Sequence, residues 1–334
     1  MNILLANPRG FCAGVDRAVK IVDLALEVFG PPVYVRREIV HNSHVVRGLR
    51  EKGAVFVEEL SEVPAGAVAI LSAHGVAPTV FKEAETRGLR LIDATCPLVT
   101  KVHLEVHRFV KQGYHIVLIG HAGHDEVIGT MGQAPGHITL VENEAQARTV
   151  TLPPNEQQPG AAAPQKKLMV LTQTTLGVDD TAGVLAVLRE RFPALDLPPT
   201  DDICYATQNR QDAVKAMSGS GMDLLLVVGS RNSSNAARLV EVALARGVRG
   251  HLIDSADEIR PEWVRDANSI GVTAGASTPE TVVQAVLDHL RSLGAGDVQL
   301  CTTAEESTTF QLPPMLKKAL AERPTPQSLN PLIP

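Results

Sequence analysis

Three times along this chain a short apolar strand-like run is followed by a cysteine and then by residues with helical periodicity. Cys12 precedes Val15, Ala18, Val19, Val22, Leu26 and Phe29; Cys96 precedes Val99, Val102, Val106, Phe109 and Val110; Cys204 precedes Ala206, Ala213, Val214 and Met217. Apolar recurrence at three- and four-residue steps marks one buried helix face. A thiol at a helix N-terminus also sits at the positive end of the peptide dipoles, which favours thiolate. Between these helices lie short apolar runs that read as buried strands: MNILLAN, PVYVR, AVAILSA, RLIDAT, HIVLIG, KLMVLTQ, DLLLVVGS, RGHLID and SIGVTAG. Strands alternating with helices predict parallel sheets covered by helices. At 334 residues the chain is long enough for two or three such domains.

The spacing makes the repeat sharper. From each cysteine to the next strand end bearing a polar side chain the interval is 29, 28 and 29 residues, reaching His41, His124 and Ser233. A further strand in each third ends in His74, Thr174 and Ser277, at second intervals of 33, 50 and 44 residues. The longest interval holds the Pro/Ala/Gln-rich stretch 151–166, which reads as a surface insertion. The expected organisation is therefore three α/β units with mostly parallel sheets, arranged pseudo-threefold, spanning 1–96, 97–200 and 201–290. A tail follows at 291–334, its last dozen residues expected to be disordered. Ligands of open α/β sheets sit at the carboxyl ends of strands, so three inward-facing units would bring three sulfurs and a polar ring to one point. Cys301 falls outside the repeat and is expected to have no metal role.

Three thiolates without a fourth can hold zinc, or an iron–sulfur cluster with one iron left open as a Lewis acid. A covalent Cys–His catalyst would leave three equivalent cysteines unexplained. The ring of His41, His74, His124, Thr174, Ser233, Ser234, Asn235 and Ser277 offers short neutral donors suited to a multiply charged anion such as a diphosphate. Glu126, two residues beyond His124, is placed to relay protons if it is buried beside that anion. Composition excludes several alternatives. Aromatic residues make up 3%, too few for a stacking platform for single-stranded nucleic acid. The net charge of −6 without a basic run argues against duplex binding, and no apolar run is long enough for a membrane span. The start lacks the features of a secretory signal, so the expected address is the cytoplasm. Four widely separated cysteines do not make a disulfide framework.

The segments ANPRGFCAGVDRAV, REIVHN, SAHGV, DATCPLVTKVH, IGHAGHDEVIGTMGQ, TQTTLGVDDT, DDICYATQNRQ, VVGSRNSSN and VTAGASTPE closely resemble the 4-hydroxy-3-methylbut-2-enyl diphosphate reductase family. The likeness runs from about residue 1 to 285 and faintly into EESTTFQLP. It implies one 4Fe–4S cluster with an open iron, held at the positions of Cys12, Cys96 and Cys204, with the substrate diphosphate at the polar ring and Glu126 as proton donor. It implies reductive removal of the substrate hydroxyl, giving isopentenyl and dimethylallyl diphosphate, and a ferredoxin or flavodoxin as electron donor. Two rivals remain on the residues alone: a zinc enzyme acting on a phosphorylated substrate, and a non-catalytic iron–sulfur sensor. The second leaves Glu126 and the anion ring without a purpose.

Overall fold

The computed structural model describes residues 1–152, 167–198 and 202–322, so most of the 151–166 insertion and the last dozen residues lie outside the described residues. In chain order, β1 (Asn2–Asn7) leads into α1 (Ala13–Phe29). Then follow β2 (Val33–Arg36), α2 (Ser43–Glu51), β3 (Ala54–Val57), β4 (Val68–Leu71), α3 (Pro78–Thr86) and β5 (Arg90–Asp93). The helix α4 (Pro97–Lys111) opens a second group: β6 (Tyr114–Ile119), α5 (Asp125–Met131), β7 (Ile138–Val141), α6 (Glu144–Thr149), β8 (Lys167–Thr172), α7 (Val178–Arg191) and β9 (Leu195–Asp196). The third group is α8 (Tyr205–Gly219), β10 (Leu224–Val228), α9 (Ser234–Leu244), β11 (Arg249–Ile253), α10 (Pro261–Val264), β12 (Ser269–Ala274) and α11 (Glu280–Ser292). The chain then adds β13 (Val298–Thr302) and α12 (Pro314–Ala321).

Every strand pairing is parallel. The sheets run β3-β2-β4-β5, β7-β6-β8-β9 and β11-β10-β12-β1-β13. In each, the group's first strand has its second on one side and its third on the other, so the three units share one topology. The fourth place in the third sheet is taken by β1, from the far end of the chain. The expected division differs here: β1 falls within 1–96 yet belongs to the third sheet, and the stretch read as a tail supplies β13 and α12. Neither is a local property of the sequence: β1 pairs with β12, as Asn2 beside Ser269, and with β13, as Leu5 beside Leu300, while Leu316 of α12 packs into the core under the first sheet.

Each cysteine-initiated helix leaves one unit and covers the next. From α1, Val15, Ala18, Ile21 and Val22 pack with Val33, Val35, Ile70 and Ile92 of the first sheet. From α4, Val102, Val106 and Phe109 meet Ile116, Leu118 and Leu171 of the second. From α8, Ala213, Val214 and Met217 meet Leu4, Ala6, Leu225 and Val227 of the third. Such apolar side chains stabilise the fold by roughly 1.5–3 kcal/mol each when fully buried, and their helical spacing fixes which face turns inward. Consequently Cys12, Cys96 and Cys204 each stand where two units meet.

One buried ion pair ties two of these junctions together. Arg210 of α8, fully buried, donates from Nη2 and Nε to the Gly10 carbonyl at 2.8 and 3.2 Å and from Nη1 to Glu306 at 2.9 Å. Gly10 lies at φ 62°, a left-handed turn just before Cys12 that suits glycine. Arg210→Ala should leave Glu306 and the carbonyl uncompensated and lower stability by about 3–5 kcal/mol. Urea denaturation of the two chains checks this; an unchanged midpoint would contradict it.

Candidate active site

Topology explains the sequence spacing. Ligands of doubly wound sheets bind where neighbouring strands run to opposite sides, between the first and third strands of each unit. The loops after β2 and β4 carry His41 and His74; those after β6 and β8 carry His124 and Thr174; those after β10 and β12 carry Ser233 and Ser277. The cysteine follows the fourth-place strand in each sheet, as the residue before α1, α4 and α8. All three cysteines, Glu126 and the eight expected anion ligands line one cavity of about 110 Å³. Cys301 does not; it lies in β13 beside Ala6.

The thiols are arranged for an inorganic partner. Backbone N–H groups of Leu98 and Val99 face the Cys96 sulfur and those of Ala206 and Thr207 face the Cys204 sulfur, which favours the thiolate at these helix N-termini. A Cβ at Gly14 would stand 2.7 Å from Cys96 Sγ and 3.9 Å from Cys12 Sγ, so only a residue without a side chain leaves these sulfurs their space. Burial, reinforced by the neighbouring thiols, pushes Cys96 up to about 12; burial and then Cys12 push Cys204 up to about 11. Three thiolates in that setting call for a compensating cation.

His41 and His74 stack at 4.1 Å, and His124 meets them edge-on at 5.5 and 5.9 Å. Burial, then the other histidines, lowers His74 well below its ordinary range and His124 to about 4, so both are neutral near pH 7. His124 Nδ1 accepts the Glu126 backbone N–H at 3.2 Å, which leaves its Nε2 carrying the proton as a directed donor. His41, His74 and Asp125 also bring ligand atoms within 4.8 Å; Asp125 is already paired with Arg37 from the neighbouring unit. From the third unit, Asn235 Oδ1 accepts the Ala276 N–H at 2.9 Å, while its buried Nδ2 has no protein partner. Ser233 caps α9, and Ser234 is the first residue of that helix. A helix N-terminus, neutral imidazole N–H groups and an orphaned amide together make an anion site.

Glu126 is 3% exposed, and burial raises its carboxyl to about 7. Thr174 opposes that rise by donating its N–H to Oε1 at 2.7 Å and its hydroxyl to Oε2 at 2.9 Å. Thr174 thus reaches the cavity wall with both donors committed to Glu126. Sequence reading missed its neighbour. The N–H of Cys12 donates to Ala276 O, that of Cys96 to Ala73 O and that of Cys204 to Thr174 O. The residues that follow these carbonyls are Ser277, His74 and Thr175, so Thr175 is the equivalent member in the second unit. It lines the cavity and donates to Ser234 Oγ at 3.3 Å. Counting from the bonded carbonyl rather than from the first polar residue would have found it.

The family described as LytB protein matches residues 3–291. The chain is 56% identical over 322 residues to a 4-hydroxy-3-methylbut-2-enyl diphosphate reductase of Chromohalobacter salexigens, covering 95% of this chain and 98% of that one. It is likewise 56% identical over 319 residues to the protein of that name from Mycolicibacterium paratuberculosis, covering 95% and 93%. Among solved structures, the E-1-hydroxy-2-methyl-but-2-enyl-4-diphosphate reductase from Plasmodium falciparum superposes with a TM-score of 0.89 at 38% identity, over 96% of this chain and 98% of that one. A structure described as (E)-4-hydroxy-3-methyl-but-2-enyl diphosphate reductase, the terminal enzyme of the non-mevalonate pathway, matches with a TM-score of 0.61 at 30% identity, over 87% and 100%.

Proposed function

The chain belongs to the LytB family, and on that premise we propose that its central cavity holds the substrate diphosphate in the polar ring and a 4Fe–4S cluster on Cys12, Cys96 and Cys204. It is an oxidoreductase of the non-mevalonate isoprenoid pathway that reduces 4-hydroxy-3-methylbut-2-enyl diphosphate, and the family is iron–sulfur dependent. The substrate gains two electrons and two protons, loses its hydroxyl as water and leaves as isopentenyl or dimethylallyl diphosphate. The carrying observation is the convergence of three thiols at helix N-termini, a protonatable buried carboxyl and a ring of anion donors on one cavity.

When bound, the cluster supplies electrons one at a time and one iron without a cysteine ligand as a Lewis acid. The protein's own part is positioning and proton handling. Because substrate and products share the diphosphate, His41, His74, His124, Thr175, Ser233, Ser234, Asn235 and Ser277 hold the same group throughout, making the later steps effectively intramolecular. When Glu126 is protonated, Oε2, which has no backbone N–H donor and lies 2.9 Å from Thr174 Oγ1, is the oxygen that carries the proton. The threonine hydroxyl donates to the carboxylate or accepts from the acid, so Thr174 keeps the group aligned in both states. Glu126 gives that proton to the leaving hydroxyl. The reducing equivalents come from a ferredoxin- or flavodoxin-type carrier. The four cysteines are unpaired, as suits the reducing cytoplasm. Among the described residues, no helix is long and apolar enough to cross a membrane.

An anaerobic turnover assay with an artificial one-electron reductant tests this reading. It should yield the two five-carbon diphosphates with two electrons consumed per product. A cluster-replete protein that releases neither product would contradict it.

A further inference from the structure

Among the described residues, no lysine or arginine lines the cavity, although its proposed ligand is a multiply charged anion. The dipole of α9 offers about half a charge, and His74 and His124 are neutral rings. His41 is built differently. Its Nδ1 lies 3.1 Å from Glu38 Oε2, and that same oxygen accepts Asn232 Nδ2 at 2.8 Å from the third unit. The His41 carbonyl accepts the Ser277 hydroxyl at 2.9 Å, fixing the backbone as well. A neutral His41 that donates Nδ1–H to Glu38 has only a lone pair at Nε2 to offer, which repels a phosphate oxygen. An imidazolium keeps the Glu38 bond and presents Nε2–H to the anion.

We propose that Glu38 is a positioning residue of the anion site: with Asn232 it holds His41 so that the diphosphate-bound protein carries this ring as imidazolium, the one fully cationic side chain among the described residues of the cavity. The inference deepens the reading above and rests on it. The groups around His41 are few. His74 and His124 oppose a charge on it, Asp125 stands 3.9 Å from His74 Nδ1 but is paired with Arg37, and Arg50 acts on Glu38 from α2. Glu38 is the carboxylate bonded to His41 itself. Its carboxyl is accordingly held low, first by the His41 bond.

The test is calorimetry of inorganic diphosphate binding to the anaerobically purified holoenzyme, in two buffers of different ionisation enthalpy. A Glu126→Gln background removes the other group that would take up a proton beside the anion. Glu38→Gln keeps an acceptor oxygen for His41 and Asn232 and removes only the charge. We expect it to weaken diphosphate about 10- to 100-fold and to cut proton uptake on binding, with Glu38→Asp recovering part of both. The ligand's own protons cancel between chains. Iron and sulfide are measured alongside, and if Glu38→Gln has lost them the comparison rests on Glu38→Asp, whose affinity and uptake must then fall. Unchanged affinity and unchanged proton uptake in the variant would overturn the role of Glu38. Absence of diphosphate binding by the parent would instead overturn the anion site itself.

Discussion

Glu126→Gln is expected to lower turnover by about a hundredfold to ten-thousandfold, the range for losing a positioned general acid, while iron content and diphosphate affinity stay near those of the parent. The amide is isosteric and still accepts from Thr174, so the cavity keeps its shape and loses only a transferable proton. The pH dependence has a definite sign. Burial lifts the carboxyl to about 7, so the proton-bearing form is present below that value. The rate of the proton-dependent step falls as pH rises through 7 and beyond. In Glu126→Gln that decline disappears along with most of the rate. Steady-state turnover from pH 5.5 to about 9 measures both effects, and near-parent turnover would remove Glu126 from the proton path.

Cys96→Ser is expected to strip most of the iron and abolish turnover, whereas Cys301→Ser keeps both. Serine preserves the size and position of the helix-capping side chain but replaces a soft thiolate with a hydroxyl that seldom ionises. The equivalence of the three units extends the expectation to Cys12 and Cys204, which occupy the same place before α1 and α8. Cys301 sits in β13 against the third unit's core, away from the cavity. Iron, sulfide and visible absorbance of the four variants distinguish the cases. Iron lost from Cys301→Ser would overturn the three-ligand assignment.

Much of this site is legible in the chain because the chemistry recurs with the topology. The intervals of 28 and 29 residues measure one helix and one strand, from the fourth place of one sheet to the first place of the next. The nine strands expected from apolar runs are all present, and their pairings are entirely parallel. Those that escaped have weak local signals. β3, β7 and β9 are only two to four residues long and lie at sheet edges, and β13 is mostly exposed, so none offers a long buried apolar run. The place of β1 in the third sheet depends on partners at the opposite end of the chain, which periodicity cannot report. Thr175 was hidden because two adjacent threonines, Thr174 and Thr175, follow β8 and only the backbone bond from Cys204 tells them apart. Nothing in the sequence marks Glu38, whose oxygen joins His41 with Asn232 only once the chain has folded. Supporting groups of this kind come from different units, so sequence spacing carries little trace of them.

The most direct test of the central claim is the iron, acid-labile sulfide and zinc content of the anaerobically purified parent protein. Three thiols converging on one cavity in a chain of an iron–sulfur-dependent family predict about four irons and four sulfides per chain, with the brown colour of a cubane cluster. Stoichiometric zinc without sulfide would contradict the reductive mechanism and return the three cysteines to a Lewis-acid hydrolase.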